Sequence, residues 1–172
     1  MLNGKRGCAM MAQENGNGLV LVLREQFLAE LRTVNETSSR YGLTLSERGM
    51  QEIAQARTRA LFDQGRVELG TSAVKSIVDG FCDSAYLLQD DYETTLLELV
   101  DAFYYFKNAC GDQLTDDELI QAMRERYDAY AGSVEAVIGT SLEAMCRAHR
   151  FGLTEDAVVE DLEDDDDERD DE

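Results

Sequence analysis

The stretch Tyr92-Glu-Thr-Thr-Leu-Leu-Glu-Leu-Val-Asp-Ala-Phe-Tyr-Tyr-Phe-Lys-Asn-Ala-Cys110 decides the fold class. Within it Tyr92, Leu96, Leu99, Phe103, Phe106 and Cys110 step by four, three, four, three and four residues, the spacing of one face of an α-helix. Leu97, Val100 and Tyr104 widen that seam beyond the narrow stripe of a coiled coil, so the reading is the central helix of a core. Gly111 supplies its C-terminal stop.

Working outward, the same period recurs on both sides. Towards the C-terminus, Thr115-Asp-Asp-Glu118 has the capping-box spacing and opens a helix carrying Leu119, Ile120, Met123, Tyr127 and Tyr130. Its early acids suit the positive end of the helix dipole. Ser133 caps a further helix with Val134, Ile138, Leu142, Met145 and His149 along one side, ended by Gly152. Towards the N-terminus, Thr71 or Ser72 opens a short helix with Val74, Ile77, Val78 and Phe81, weakened by the interior Gly80. Thr44 or Ser46 caps another, striped by Met50, Ile53, Ala54, Ala60 and Leu61 and closed by Gly65. A first helix over about Leu19–Arg40 aligns Val20, Leu23, Phe27, Leu31 and Val34, and Gly42 stops it. Residues 65–70 alternate briefly and are read as a loop. With no proline in 172 residues and glycines between the periodic segments, the expected architecture is all-α: a single compact bundle of about six helices over residues 19–152. Residues 1–18, with Asn3-Gly4 and Asn15-Gly-Asn-Gly18, are expected to form a flexible leader. Residues 153–172 are expected to form a mostly disordered acidic tail.

Charge narrows the partners. Thirty-six acidic and 16 basic side chains give a net charge of -20. Residues 151–172 alone hold 13 acids and one base, which leaves -8 for the rest. This argues against a nucleic-acid backbone or an anionic membrane as partner, and for a protein, basic where the tail contributes. The acids Asp164, Asp165, Asp166, Asp167 and Glu168 are the tail's candidate interaction residues, with only loose calcium binding expected there. Apolar runs of five residues, Cys8–Ala12 and Leu19–Leu23, fall short of a signal peptide or of the roughly 20 residues of a membrane span. Cys8, Cys82, Cys110 and Cys146 lie far apart, as in reduced cytoplasmic proteins.

The search for chemistry yields little. His149 is the single histidine, so the two-histidine metal sites of di-iron bundles and zinc proteases have no donors here. Cys146 and His149 share a helix face, but no second pair completes a zinc site and no third group orients a nucleophile. In the segment ending at Glu118, a calcium loop would place Lys107 first and Asp112 where glycine belongs. No nucleotide-binding glycine motif occurs, and no catalytic, metal or cofactor residue is assigned. One position breaks its pattern: Arg57 falls in the middle of the second helix's apolar stripe. A guanidinium there needs a carboxylate, and Asp83, Asp90 and Asp91 are the candidates, as a structural ion pair or as the anchor of a ligand pocket. In Tyr104-Tyr105-Phe106, Tyr105 is left over for a surface or an interface.

From about Tyr41 to Gly152 the chain resembles a family of uncharacterised bacterial proteins known only as a domain of unknown function. The likeness rests on Tyr41-Gly-Leu-Thr-Leu-Ser-Glu47, Gly65-Arg-Val-Glu-Leu-Gly70, Phe81-Cys-Asp-Ser84, Gln89-Asp-Asp-Tyr92, Tyr105-Phe-Lys-Asn108 and Leu114-Thr-Asp-Asp-Glu-Leu-Ile120. It implies a helical domain and carries over no activity. Three functions are compatible with these readings. The leading one is a non-enzymatic protein-binding or adaptor domain. The others are a small enzyme or ligand-binding domain with a pocket at Arg57, and an acidic nucleic-acid mimic that sequesters a basic protein.

Overall fold

Helix α4, Tyr92–Ala109, is the axis on which the chain is assembled. Its six stripe residues, from Tyr92 through Cys110 at the C-cap, are all buried, and so are Val100, Ala102 and Tyr104. A helix apolar over so much of its circumference has to be covered on several sides. The computed structural model describes residues 7–68 and 70–153, with side chains from residue 23 onward except at Thr140. Around α4 it arranges α2 (Glu47–Asp63), α3 (Ala73–Phe81), α5 (Asp116–Ala129), α6 (Val134–Ile138) and α7 (Thr140–Phe151), each in contact with it. Helix α1 (Gly7–Ser38) packs on α2 and α3 and ends in a 3-10 turn, Ser39–Tyr41. The chain is all-α, with no strand among the described residues.

The N-caps are the ones the local sequence offers. Ser46, Ser72 and Ser133 each accept a hydrogen bond from a first-turn amide, and Thr115 and Glu118 form the reciprocal capping box. Bonding to Thr115 holds the Glu118 carboxyl below its usual range. Three local expectations are corrected. Helix α1 begins at Gly7 rather than near Leu19, and among its described side chains Phe27, Leu28, Leu31 and Val34 are buried while Leu23 is exposed; Val20 lies outside the described side chains. The last expected helix breaks in two at Gly139, whose extended backbone resets the helical phase. Ile138 and His149 consequently face solvent, while Val137, Leu142 and Cys146 enter the core. Tyr130, at the end of α5, is exposed.

Side chains replace regular structure where the chain turns. Residues 43–46 have no regular structure, and the peptide groups of Thr44, Leu45 and Ser46 are bound by side chains of α1, of the turn before α4 and of α4 itself. Asn35 accepts from Leu45 N at 2.7 Å and donates to Leu45 O, and Gln89 does the same for Thr44 N (2.6 Å) and O. Glu93 of α4 accepts from Ser46 N at 2.5 Å and lies over Gly49, where a Cβ would meet its carboxyl group. Gly132, after α5, has φ +86° and lies against Tyr86, whose Cβ would be 2.8 Å from an added Cβ.

Two substitutions test this packing. Leu99→Ala, at a fully buried site, should lower the unfolding free energy by about 2–5 kcal/mol in urea titration. Gly132→Ala, strained in backbone and in space, should cost about 1–3 kcal/mol by the same measurement.

Candidate functional site

Arg57 stands on α2 with Met50, Ile53 and Ala54, and its guanidinium is drawn into the body of the protein. It lies over the ring of Phe27 in α1, with its central carbon 4.4 Å from the ring centroid, and binds Glu68 through Nε and Nη2, both at 2.7 Å. The two side chains are only 16% and 17% exposed. Glu68 comes from the segment between α2 and α3, read above as a loop and described here without regular structure. Its other oxygen accepts from the Tyr104 hydroxyl of α4 at 2.6 Å and from Ala73 N at the start of α3 at 3.3 Å. One carboxylate thus joins three helices. Burial, reinforced by the neighbouring Glu68 charge, pushes the Tyr104 hydroxyl far above the ordinary phenol range, so it remains a donor. Gln64 donates to Tyr104 O at 2.8 Å and fixes the end of α2 to α4.

Beside this cluster lies a hollow of about 140 Å³, with Leu61, Val67 and Phe103 as its apolar lining and Glu68, Lys107 and Asp116 among its polar groups. The charges around it are matched. Lys107 binds Asp116 at 2.7 Å and Leu114 O at 2.6 Å. Arg66 makes a two-pronged contact with Asp112, at 2.6 and 2.8 Å, which holds the Asp112 carboxyl below its usual range. The arrangement is a set of ties between α2, the following segment, α4 and the start of α5. It leaves no ionised group of the hollow without an opposite charge.

The residues singled out from the sequence are not brought together. Arg57 is in an ion pair, but with Glu68 rather than with Asp83, Asp90 or Asp91. Asp83 instead meets Arg124 of α5 at 2.6 Å, and that guanidinium lowers its carboxyl below the usual range. Asp90 and Asp91 are exposed in the turn before α4. The reason is topological: the segment after α2 folds back across its own helix and supplies the nearest carboxylate. Glu68 and Tyr104 are not legible as partners in the sequence: alternation with Val67 and Leu69 points to an outward Glu68, whereas in the fold Val67 is the exposed residue and Glu68 turns inward. Tyr105 is 53% exposed on α4, its ring edge-on to Phe106. Asp164–Glu168 lie outside the described residues. Cys146 and His149 do not share an accessible surface, because the cysteine is buried, its thiol pushed up to about 12 by burial, and the histidine is exposed. Among the described residues no group of three or more His, Cys, Asp or Glu side chains is placed to hold a metal ion.

A model of a family of unknown function, DUF6323, matches residues 30–155. The chain belongs to that family. The span expected from the sequence, Tyr41–Gly152, lies inside the match, which takes in Arg57, Glu68, Tyr104 and the hollow beside them. No curated protein matches the chain, and no solved structure does.

If the Arg57–Glu68 pair is a tie rather than a ligand anchor, Arg57→Leu should destabilise the ligand-free protein by about 2–4 kcal/mol, because Glu68 loses its counter-charge in a largely buried place. The double variant Arg57→Leu/Glu68→Leu should recover part of that loss in the same urea titration.

Proposed function

We propose that this DUF6323 member is a non-enzymatic helical binding module, an adaptor whose folded body meets a protein partner. The observation that carries the reading is the contrast between the matched charges of the hollow and the exposed apolar side chains in the stretch from Leu61 to Val67. Phe62, in the last turn of α2, and Val67, in the segment that follows, are 83% and 79% exposed. Val67 and Leu61 line the hollow, and Phe62 belongs to the same turn of α2 as Leu61. Large apolar side chains held outward on a surface whose polar groups are already satisfied suit the anchoring of a partner's apolar side chain. At about 140 Å³ the hollow is well below the roughly 300–1,000 Å³ of small-molecule sites, which favours the protein partner over a ligand pocket at Arg57.

The charge of the chain supports a basic partner. An acidic tail accelerates encounter and adds affinity that salt weakens, since exposed charges are screened within about 8 Å at physiological ionic strength. Cys82, Cys110 and Cys146 are unpaired and buried, in keeping with work in the reducing cytoplasm.

The test is capture from native lysate by the whole chain, by a version ending at Leu153, and by Phe62→Ser/Val67→Ser, each at low and high salt. We expect a partner that survives high salt and tail removal and is lost with the double substitution, while the melting temperature of that variant stays near wild type. A partner that follows only the tail or the salt, indifferent to Phe62 and Val67, would overturn the reading.

A further inference from the structure

A second surface, on the side of the bundle where α3 meets α5, carries a different kind of site. The two helices approach closely at Gly80, where an added Cβ would lie 2.8 Å from Cγ2 of Ile120. Next to this contact is an open groove of about 450 Å³, lined by Ser76, Asp79 and Gly80 of α3 and by Asp117, Ile120 and Arg124 of α5. Its size falls within the roughly 300–1,000 Å³ range of binding clefts.

The charges of the groove are unbalanced, unlike those beside Arg57. Arg124 is already committed: Nη1 donates to Gly80 O at 2.5 Å and to Asp83 at 2.6 Å, and Nε to Asp128 at 2.7 Å. Asp79 pairs with Lys75 one turn earlier on α3. Asp117, in the first turn of α5, is exposed and makes no ion pair among the described residues. The lining itself carries two carboxylates, Asp79 and Asp117, and one guanidinium, Arg124; with their ion-pair partners Lys75, Asp83 and Asp128 just outside it, two cations stand against four carboxylates around Gly80 and Ile120. An apolar floor with surplus negative charge at its walls matches a side chain that is aliphatic along its stem and cationic at its tip.

We propose that the α3–α5 groove docks a basic segment of a partner protein. A lysine or arginine of that segment lays its methylene stem on Gly80 and Ile120 and brings its charge to Asp117 and Asp79. The proposal concerns a surface apart from Phe62 and Val67, and it stands or falls without them.

The experiment uses the full chain and a fluorescein-labelled helical peptide bearing lysines along a leucine and alanine face, read by anisotropy at about 150 mM salt, where long-range attraction is screened. Asp79→Asn/Asp117→Asn is compared with Asp90→Asn/Asp91→Asn, which removes the same charge from an exposed turn elsewhere. Loss of two partly screened ion pairs should weaken the peptide's Kd about fivefold to tenfold in the first variant and less than about twofold in the second. In the wild type the Ile120 δ1 methyl NMR signal should shift with peptide and saturate. The Asp79 pair is an exposed one within a single helix, so the variant should fold, as its melting curve will verify. Equal weakening by both variants, binding that leaves the Ile120 methyl unmoved, or no binding at all would each overturn the proposal.

Discussion

Tyr92, Leu96, Leu99, Phe103, Phe106 and Cys110 leave water together on one helix, and the remaining helices are placed by the need to cover them and their neighbours. A helix buried this widely cannot be satisfied by one partner. Helices α2 and α3 cover it from earlier in the chain and α5, α6 and α7 from later, so α4 is central in sequence as well as in space. Short helices such as α3 and α6 are far below the length at which a helix is stable alone in water. Their order depends on the core that α4 provides.

The second layer of organisation is polar, and it works at the places where helices stop. Peptide groups that leave a helix still need partners when they pass close to a core. Asn35 and Gln89 meet this need for Leu45 and Thr44, and Glu93 for Ser46. Glu68 and Glu30 meet it for Ala73 and Ser72 at the start of α3. The Arg57–Glu68–Tyr104 cluster belongs to this layer. Its members resemble the parts of an active site when named singly, yet in place each satisfies another. Next to it the match is incomplete, since Gln64 Oε1 is buried without a hydrogen-bond partner, as is the Tyr92 hydroxyl at the start of α4.

Local signals told the truth about local events. Ser46, Ser72, Thr115 and Ser133 cap helices because a side-chain oxygen and an amide two or three residues away need nothing else to meet. The α4 stripe was legible because its period spans five turns without interruption. The sixth expected helix was legible only in part: Gly139 lies inside an otherwise continuous pattern, and nothing in its immediate neighbours announces an extended backbone. That single residue rotates the later stripe and exchanges Ile138 and His149 for Val137 and Cys146 in the core.

Arg57 marks the boundary between the two kinds of knowledge. Its position in an apolar stripe was enough to require a carboxylate partner, since an ionised guanidinium cannot be taken from water without one. Which carboxylate it would be was not determined locally, because Glu68, Asp83, Asp90 and Asp91 differ only in how the chain returns past α2. Tertiary structure chose Glu68, gave Asp83 to Arg124 and left Asp90 and Asp91 in water. The sequence by itself determined the helical class, most helix starts, the central helix and the excess of acid. The pairing of charges and the hollows between helices were decided only by the fold, because both depend on distances between residues that the chain brings together and that no periodicity encodes.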